Sequence, residues 1–250
     1  MEEWGLFMLK ISIKIFSSSV IALLLSFQTA FAADMGTMED DIYNHLSSWD
    51  TQFKIPYFNS DIIQVIRDSA SRDDYLNISL IGLQIRGNGR SAVVNVVYRT
   101  TKDEEKYVDS EITNAVNSII NVNMSEFDKV KAINDYLVQR YDYDDTFVSN
   151  NSYLALTTGK TTCQGYAMTA YKMFKEAGIE SRIVLGSIDG IPHGWNEVKV
   201  DGKWYNIDIT NNDSLGNYRF FLKSDETLKD SGFSWDDDYT YEPCSEDYVY

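Results

Sequence analysis

The sequence predicts an α+β protein, on three observations. Glycine-centred turns at Gly87-Asn88-Gly89 and Asp201-Gly202 each join two runs rich in β-branched and aromatic residues, the pattern of an antiparallel hairpin. Apolar residues recur at helical spacing at Val108, Ile112, Ala115, Val116 and Ile119, and again at Val130, Ile133, Leu137 and Val138. A further helical pattern runs from residue 163 to about 177 and precedes strand-like runs at 183–185, 195–200 and 203–209.

Residues 1–32 read as an export signal outside the fold. Lys10 and Lys14 precede an apolar run from Ile15 through Val20 to Phe27, and Ala30-Phe31-Ala32 has the small-x-small form of a signal-peptidase site before Ala33. Glu2 and Glu3 are foreign to the basic start of such a signal, so Met8 is the expected initiator. An uncleaved anchor is the alternative, because the segment from Ile15 to Ala32 is nearly long enough to span a bilayer. Ser17 to Ser19, Gln28 and Thr29 weaken that alternative, and no cysteine follows the run to carry a lipid. The expected location is secreted or attached to the cell envelope, with no membrane insertion after cleavage.

Next comes a small α+β region, residues 33–123. A short helix is expected over 38–49, an extended segment over 53–58, and a second helix around Ile62, Ile63, Val65 and Ile66. Two strands follow, 76–85 and 92–98, and then a helix over 103–122. Ser125 with Asp128 opens the next helix, which Tyr141-Asp142-Tyr143-Asp144-Asp145 ends. A soft boundary near Asn123 separates this region from a catalytic region, 124–250, with an acidic C-terminal tail. In the latter, Gly178 stands where a left-handed residue closes the helix that begins at Cys163.

The chain of 250 residues carries 22 basic and 38 acidic side chains, a net charge of −16. Nucleic acid and anionic membrane surfaces are therefore poor partners for it, and no nucleic-acid partner is expected. A basic substrate is compatible with the charge, but the run Asp236-Asp237-Asp238 reads as solvated surface. There are two cysteines, Cys163 and Cys244, and two histidines, His45 and His193, so few Cys/His pairings exist. A Cys163–Cys244 staple is one alternative in an exported chain, though Cys244 sits in the irregular stretch Glu242-Pro243-Cys244-Ser245-Glu246. No Cys or His lies at zinc-ligand spacing from another and no EF-hand loop occurs, so neither metal nor cofactor is expected.

Three neighbourhoods carry chemistry: Thr162-Cys163-Gln164-Gly165-Tyr166-Ala167, Pro192-His193-Gly194-Trp195-Asn196, and Trp204-Tyr205-Asn206-Ile207-Asp208-Ile209-Thr210. In order they supply a nucleophile, a base and a base-orienting carboxylate. Cys163 in the first turn of a helix meets the positive end of the macrodipole, which favours a thiolate; alternatively it is a small hydrophobe in a packed helix. Counting outward from a two-residue turn at Asp201-Gly202 pairs Val200 with Lys203, Trp195 with Asp208 and His193 with Thr210. Val198, Val200, Tyr205, Ile207 and Ile209 then share an apolar face, while His193, Trp195, Glu197, Lys199, Trp204, Asn206 and Asp208 share the other. His193 and Asp208 become diagonal neighbours, roughly 7 to 8 Å apart at the backbone and within reach of a hydrogen bond. His45, between Asn44 and Leu46, reads as a surface histidine.

The segment Gly159-Lys160-Thr161-Thr162-Cys163-Gln164-Gly165-Tyr166-Ala167, with His193-Gly194-Trp195-Asn196 and Trp204 to Thr210, resembles the Cys, His and Asp motifs of the transglutaminase-like superfamily in order and spacing. The resemblance spans about residues 123–213, and the Lys129 to Leu137 helix and Tyr141-Asp142-Tyr143-Asp144 also resemble exported bacterial members. It implies a papain-like core, with Cys163 on a helix packed against an antiparallel sheet that carries His193 and Asp208. It also implies acyl transfer from protein or peptide amides through a thioester, with water or a lysine amine as acceptor. Hydrolysis is the expected outcome, because an exposed cleft in water favours it. Asn211 stands where the family often has Trp, and Gly194 where it often has a larger residue, which bears on pocket shape. The Cys163 N–H is one expected oxyanion donor, with Gln164, Tyr141, Tyr143 and Tyr153 as candidates for a second. A fold turned noncatalytic envelope-binding module is the alternative that loss of any triad residue would favour.

Overall fold

Met38, Ile42 and Leu46 recur every four residues, and the helix they define, α1 (36–47), buries all three. The computed structural model describes residues 36–56, 62–88, 90–236 and 242–249. The expected signal segment 1–32, Tyr57 and Phe58, Gly89, and Asp237 and Asp238 lie outside the described residues.

β1 (Gln52–Pro56) alternates, burying Phe53 and Ile55. α2 (Ile62–Ala70) buries Ile62, Val65 and Ile66. Residues 76–79, expected as strand, belong instead to α3 (Asp74–Ser79). Asp73 caps it by accepting the Leu76 N–H at 3.0 Å, and the Ser79 hydroxyl donates to the Tyr75 carbonyl at 2.7 Å. Over four residues a strand pattern and one helical turn look alike, and the cap decides between them. β2 (Leu80–Gly87) and β3 (Ser91–Tyr98) form the expected hairpin, and β1 joins it in an antiparallel sheet of order β1-β3-β2.

α4 (Lys102–Ile119) starts at a capping box of Thr101 and Glu104, and α5 (Glu126–Arg140) at one of Ser125 and Asp128. The two helices pack together, burying Val108, Ile112, Val116, Val130, Ile133 and Leu137 in one cluster. The boundary expected near Asn123 falls between them in sequence, but α4 lies within the core of the C-terminal region. β4 (Asp142–Tyr143) pairs in parallel with β5 (Lys160–Thr161) across the intervening α6 (Ser152–Thr158). α7 (Cys163–Glu176) then crosses the core, burying Tyr166, Ala170, Met173 and Phe174, and ends before Gly178 at φ 75°.

The main sheet has the order β8-β7-β6-β9, with β6 (Ser181–Ile188), β7 (Ile191–Val200), β8 (Lys203–Ile207) and β9 (Phe233–Ser234) all antiparallel to their neighbours. Asp201 at φ 52° and Gly202 at φ 79° make the expected type I′ turn, and Val200 pairs with Lys203. Val198, Val200, Tyr205, Ile207 and Ile209 all face the core shared with α5 and α7. The opposite face is covered as well: Trp195 and Val184 are buried with Phe220, Leu228 and Phe233.

One expectation about register is corrected. The β7–β8 ladder ends at Asn196↔Ile207, so Trp195–Asp208 and His193–Thr210 are not strand pairs. Asp208 leaves the sheet to cap α8 (Ile209–Leu215), accepting the Asn211 N–H at 3.2 Å, and Ile209 is helical. The helix cap outcompetes two further ladder positions because Asp208 satisfies an otherwise orphaned helix N–H. After it, α9 (Asp225–Asp230) supplies Leu228, and the described part of the C-terminal stretch is tied down beside that helix, the Asp225 N–H donating to the Cys244 carbonyl at 2.8 Å.

Candidate active site

Cys163 is the first residue of α7, and its N-cap, Thr162, makes no side-chain capping bond. Gly165 permits the tight approach of this turn to β5, since a Cβ there would lie 1.8 Å from the Thr161 hydroxyl oxygen. Across from it, β7 presents His193, whose Nε2 lies 2.8 Å from Asp208 Oδ2. The imidazole and its charge act on the Cys163 thiol, as do the backbone N–H groups of Gly194 and Gln164. With Nε2 engaged by Asp208, Nδ1 is the ring atom left to address the thiol. The structure thus brings Cys163, His193 and Asp208 together, although the two strand positions expected to carry the pair are replaced by one strand and one helix cap.

Each member is braced from behind. The Asp208 side chain is fully buried, and Asn211 Nδ2 donates to Oδ2 at 2.5 Å. The residue that departs from the family pattern therefore supports the carboxylate. The His193 ring lies over Trp195 at 6.2 Å and 18° and meets the edge of Phe233 at 5.9 Å. Trp195 is itself fixed by donation from Nε1 to Asn206 Oδ1 at 2.9 Å. The other departure, Gly194, leaves room against Leu185, whose Cδ2 would stand 3.3 Å from an added Cβ.

The electrostatics follow from these contacts. Burial raises the thiol pKa of Cys163, but the His193 hydrogen bond and charge, with the two backbone N–H groups, outweigh it and bring the thiol below its ordinary value. Burial likewise disfavours a charged His193, yet the Asp208 hydrogen bond and then the contact with Cys163 push its pKa well up. Both shifts favour a thiolate–imidazolium pair held by a carboxylate, an arrangement that can attack an acyl carbon and return a proton to the departing group.

Among the expected second oxyanion donors, the Gln164 side-chain amide is committed to the Asn150 carbonyl at 2.7 Å. The Tyr141 hydroxyl is buried without a hydrogen-bond partner, and Tyr153 packs against the core and edge-on to Tyr107. Tyr143 is the candidate brought near the thiol: burial, then the charge of Cys163, raises its pKa. His45 is not a free surface group, since Nδ1 lies 2.7 Å from Asp50 Oδ2 and the ring stacks on Phe53 at 4.6 Å. The signal for that contact, an acid five residues on, was present in the sequence, but its meaning depended on a turn at Trp49.

Both cysteines are free. Cys244 is buried against Glu197 and Asp225, and their candidate ligand atoms lie within 4.8 Å of one another. Burial and the neighbouring carboxylates push the Cys244 thiol far up, and Asp225 already accepts from Asn206 Nδ2 at 2.8 Å and the Cys244 N–H at 3.2 Å. The trio is thus a hydrogen-bonded cluster with a protonated thiol, poorly prepared to take a metal ion. No helix among the described residues is long and apolar enough to cross a membrane.

Residues 113–209 match the transglutaminase-like superfamily. Kyphoscoliosis peptidase of Mus musculus is 26% identical over 121 residues, 41% of this chain and 18% of that protein. The Homo sapiens form is 25% identical over 119 residues, again 18% of its length, so the match spans under a fifth of the curated relatives. A solved TGase structure aligns at TM-score 0.41 and 19% identity, over 64% of this chain and 50% of that one. Residues 113–209 are thus similar to the transglutaminase-like superfamily, over less than half of the chain.

Proposed function

We propose that this chain is an exported cysteine hydrolase of peptide or protein amides. The observation that carries the reading is the His193 Nε2 to Asp208 Oδ2 contact of 2.8 Å behind a histidine whose influence lowers the Cys163 thiol pKa. Cys163 is the nucleophile, His193 the acid and base, and Asp208 the residue that orients the ring. The thiolate attacks the amide carbon, and as the C–N bond breaks His193 gives its proton to the leaving nitrogen. Water then adds to the thioester, His193 takes one of its protons, and the C–S bond breaks to release the acid and restore the thiolate.

Hydrolysis is favoured over transfer to a lysine amine because Cys163 is only partly buried and so open to water. Export rests on the basic, apolar and small-residue order of segment 1–32, and predicts a mature N-terminus at Ala33. The deciding experiment compares iodoacetamide labelling of Cys163 and Cys244 across pH with turnover of a quenched-fluorescent peptide library, with and without a lysine-mimicking amine. Fast Cys163 labelling with peptide cleavage supports the hydrolase. Amine incorporation in place of cleavage replaces it with a transamidase. Equal, slow labelling of both thiols rejects catalysis in favour of a binding module.

A further inference from the structure

The loop after β4 is built more rigidly than a connection requires. The buried Asp144 carboxylate accepts the Thr146 N–H at 3.0 Å, the Thr146 hydroxyl at 2.6 Å and the Ser149 N–H at 2.7 Å. The far end is fastened to the nucleophile's own turn. The Ser149 carbonyl accepts from the Thr162 N–H and the Thr161 hydroxyl, both at 2.9 Å, and the Asn150 carbonyl accepts from Gln164 Nε2 at 2.7 Å.

Between these anchors Phe147 is held at φ 59°, a left-handed conformation that bulky residues rarely adopt. Its side chain and that of Val148 are nonetheless 66% and 69% exposed. The Phe147 ring meets Tyr143 edge-on at 6.5 Å, and Tyr143 pairs with Thr161, two residues before Cys163. On the sheet side, Leu185 pairs with Gly194, the residue after His193, and is 44% exposed. Ile191, two residues before His193, is 70% exposed. The turn that carries the thiol and the strand that carries His193 are thus each flanked by exposed apolar residues in a chain otherwise rich in acidic groups, and strained, rigidly presented residues near a reacting group are a mark of recognition.

We infer that Phe147 and Val148 on one side and Leu185 on the other form a lip that selects amide substrates bearing a bulky apolar side chain beside the scissile bond. This rests on the thiol-hydrolase reading above. The lip supplies specificity by removing apolar substrate surface from water, while Cys163 and His193 supply the chemistry.

The test uses the full chain and measures alkylation of Cys163 by acetyl-Leu-Phe chloromethyl ketone and by acetyl-Ser-Lys chloromethyl ketone, each as a ratio to the iodoacetamide rate. The lip predicts an apolar probe favoured by roughly tenfold or more over the basic one. It also predicts that Phe147→Asn brings the two ratios to within about twofold. Asn tolerates the left-handed backbone, and Phe147→Gly, which relieves it, serves as a second variant if Asn misfolds. Equal ratios in the wild type, or an apolar preference that survives Phe147→Asn and Phe147→Gly, would overturn the lip while leaving the activated thiol standing. Slow iodoacetamide labelling of Cys163 in the wild type would instead remove the enzyme reading, and the lip with it.

Discussion

Replacing Asp208 with Asn keeps size and shape but forces a conflict that can be traced atom by atom. Oδ2 accepts from His193 Nε2 and from Asn211 Nδ2, while Oδ1 accepts from the Asn211 backbone N–H. An amide NH2 turned toward Oδ2's place faces one donor and compels His193 to accept at Nε2, which puts its proton on Nδ1 and removes the base. Turned the other way, it faces the Asn211 N–H and unmakes the α8 cap, at about 1 kcal/mol. In both cases the charge is gone. A charge-assisted hydrogen bond contributes about 1.5 to 3 kcal/mol, or roughly one to two pKa units on His193. The imidazolium that holds the Cys163 thiolate weakens with it. The thiol then moves back toward its ordinary range, and its thiolate fraction at neutral pH falls roughly tenfold to a hundredfold. Turnover should drop further, by about 10³ to 10⁴, because the tautomer is also wrong. The assay is the pH profile of iodoacetamide alkylation at Cys163, read by peptide mass spectrometry, with peptide turnover alongside. In the wild type the rate should rise at a pH below the ordinary thiol value of 9.0, and the rise should move to higher pH in the variant. An unmoved profile would refute the view that Asp208 acts on Cys163 through His193.

Other perturbations test the scaffold. Glu197 is buried and its carboxyl is pushed up to about 7 by burial, against the pull of Arg182. The folded state thus holds a proton that the unfolded chain releases near pH 4.5, so stability should fall as pH rises from about 4.5 to 7 and level off above that. In urea titrations Glu197→Gln should remove that part of the slope, about 3 kcal/mol at most; an unchanged slope would show that Glu197 is ionised throughout. Gly165→Ala should slow Cys163 alkylation and destabilise by roughly 1 to 3 kcal/mol, because its methyl would collide with Thr161 and displace the turn that carries the thiol. Ile133→Ala in the core should cost about 2 to 5 kcal/mol in chemical denaturation. Its alkylation profile should be unchanged in native buffer, and a shifted profile would mean the core and the site are not separable.

Much of the site was legible because its parts are local. The turn at Asp201-Gly202 sets a register that puts Val198, Val200, Tyr205 and Ile207 on the core side, and the structure keeps it. What was not legible followed from competition between neighbouring elements. Residues 76–79 read as strand until the Asp73 cap is considered, and the ladder stops at Ile207 because Asp208 serves α8 instead. The covering of the second sheet face was also hidden, since Phe220, Leu228 and Phe233 carry no local sign of where they pack. The same holds for the assignment of α4 to the larger core.

The sequence by itself determined the α+β class, the hairpins, the helix starts at Ser125 and Cys163, and the set of side chains able to form a triad, because caps, turns and periodicity act over a few residues. Only the tertiary structure decided that Asp208 reaches His193 from a helix cap, that Asn211 and Trp195 brace the pair, and that a strained Phe147 meets Tyr143 edge-on. The contact between His193 and Asp208 joins residues 15 apart, and its closure is settled by packing the whole core.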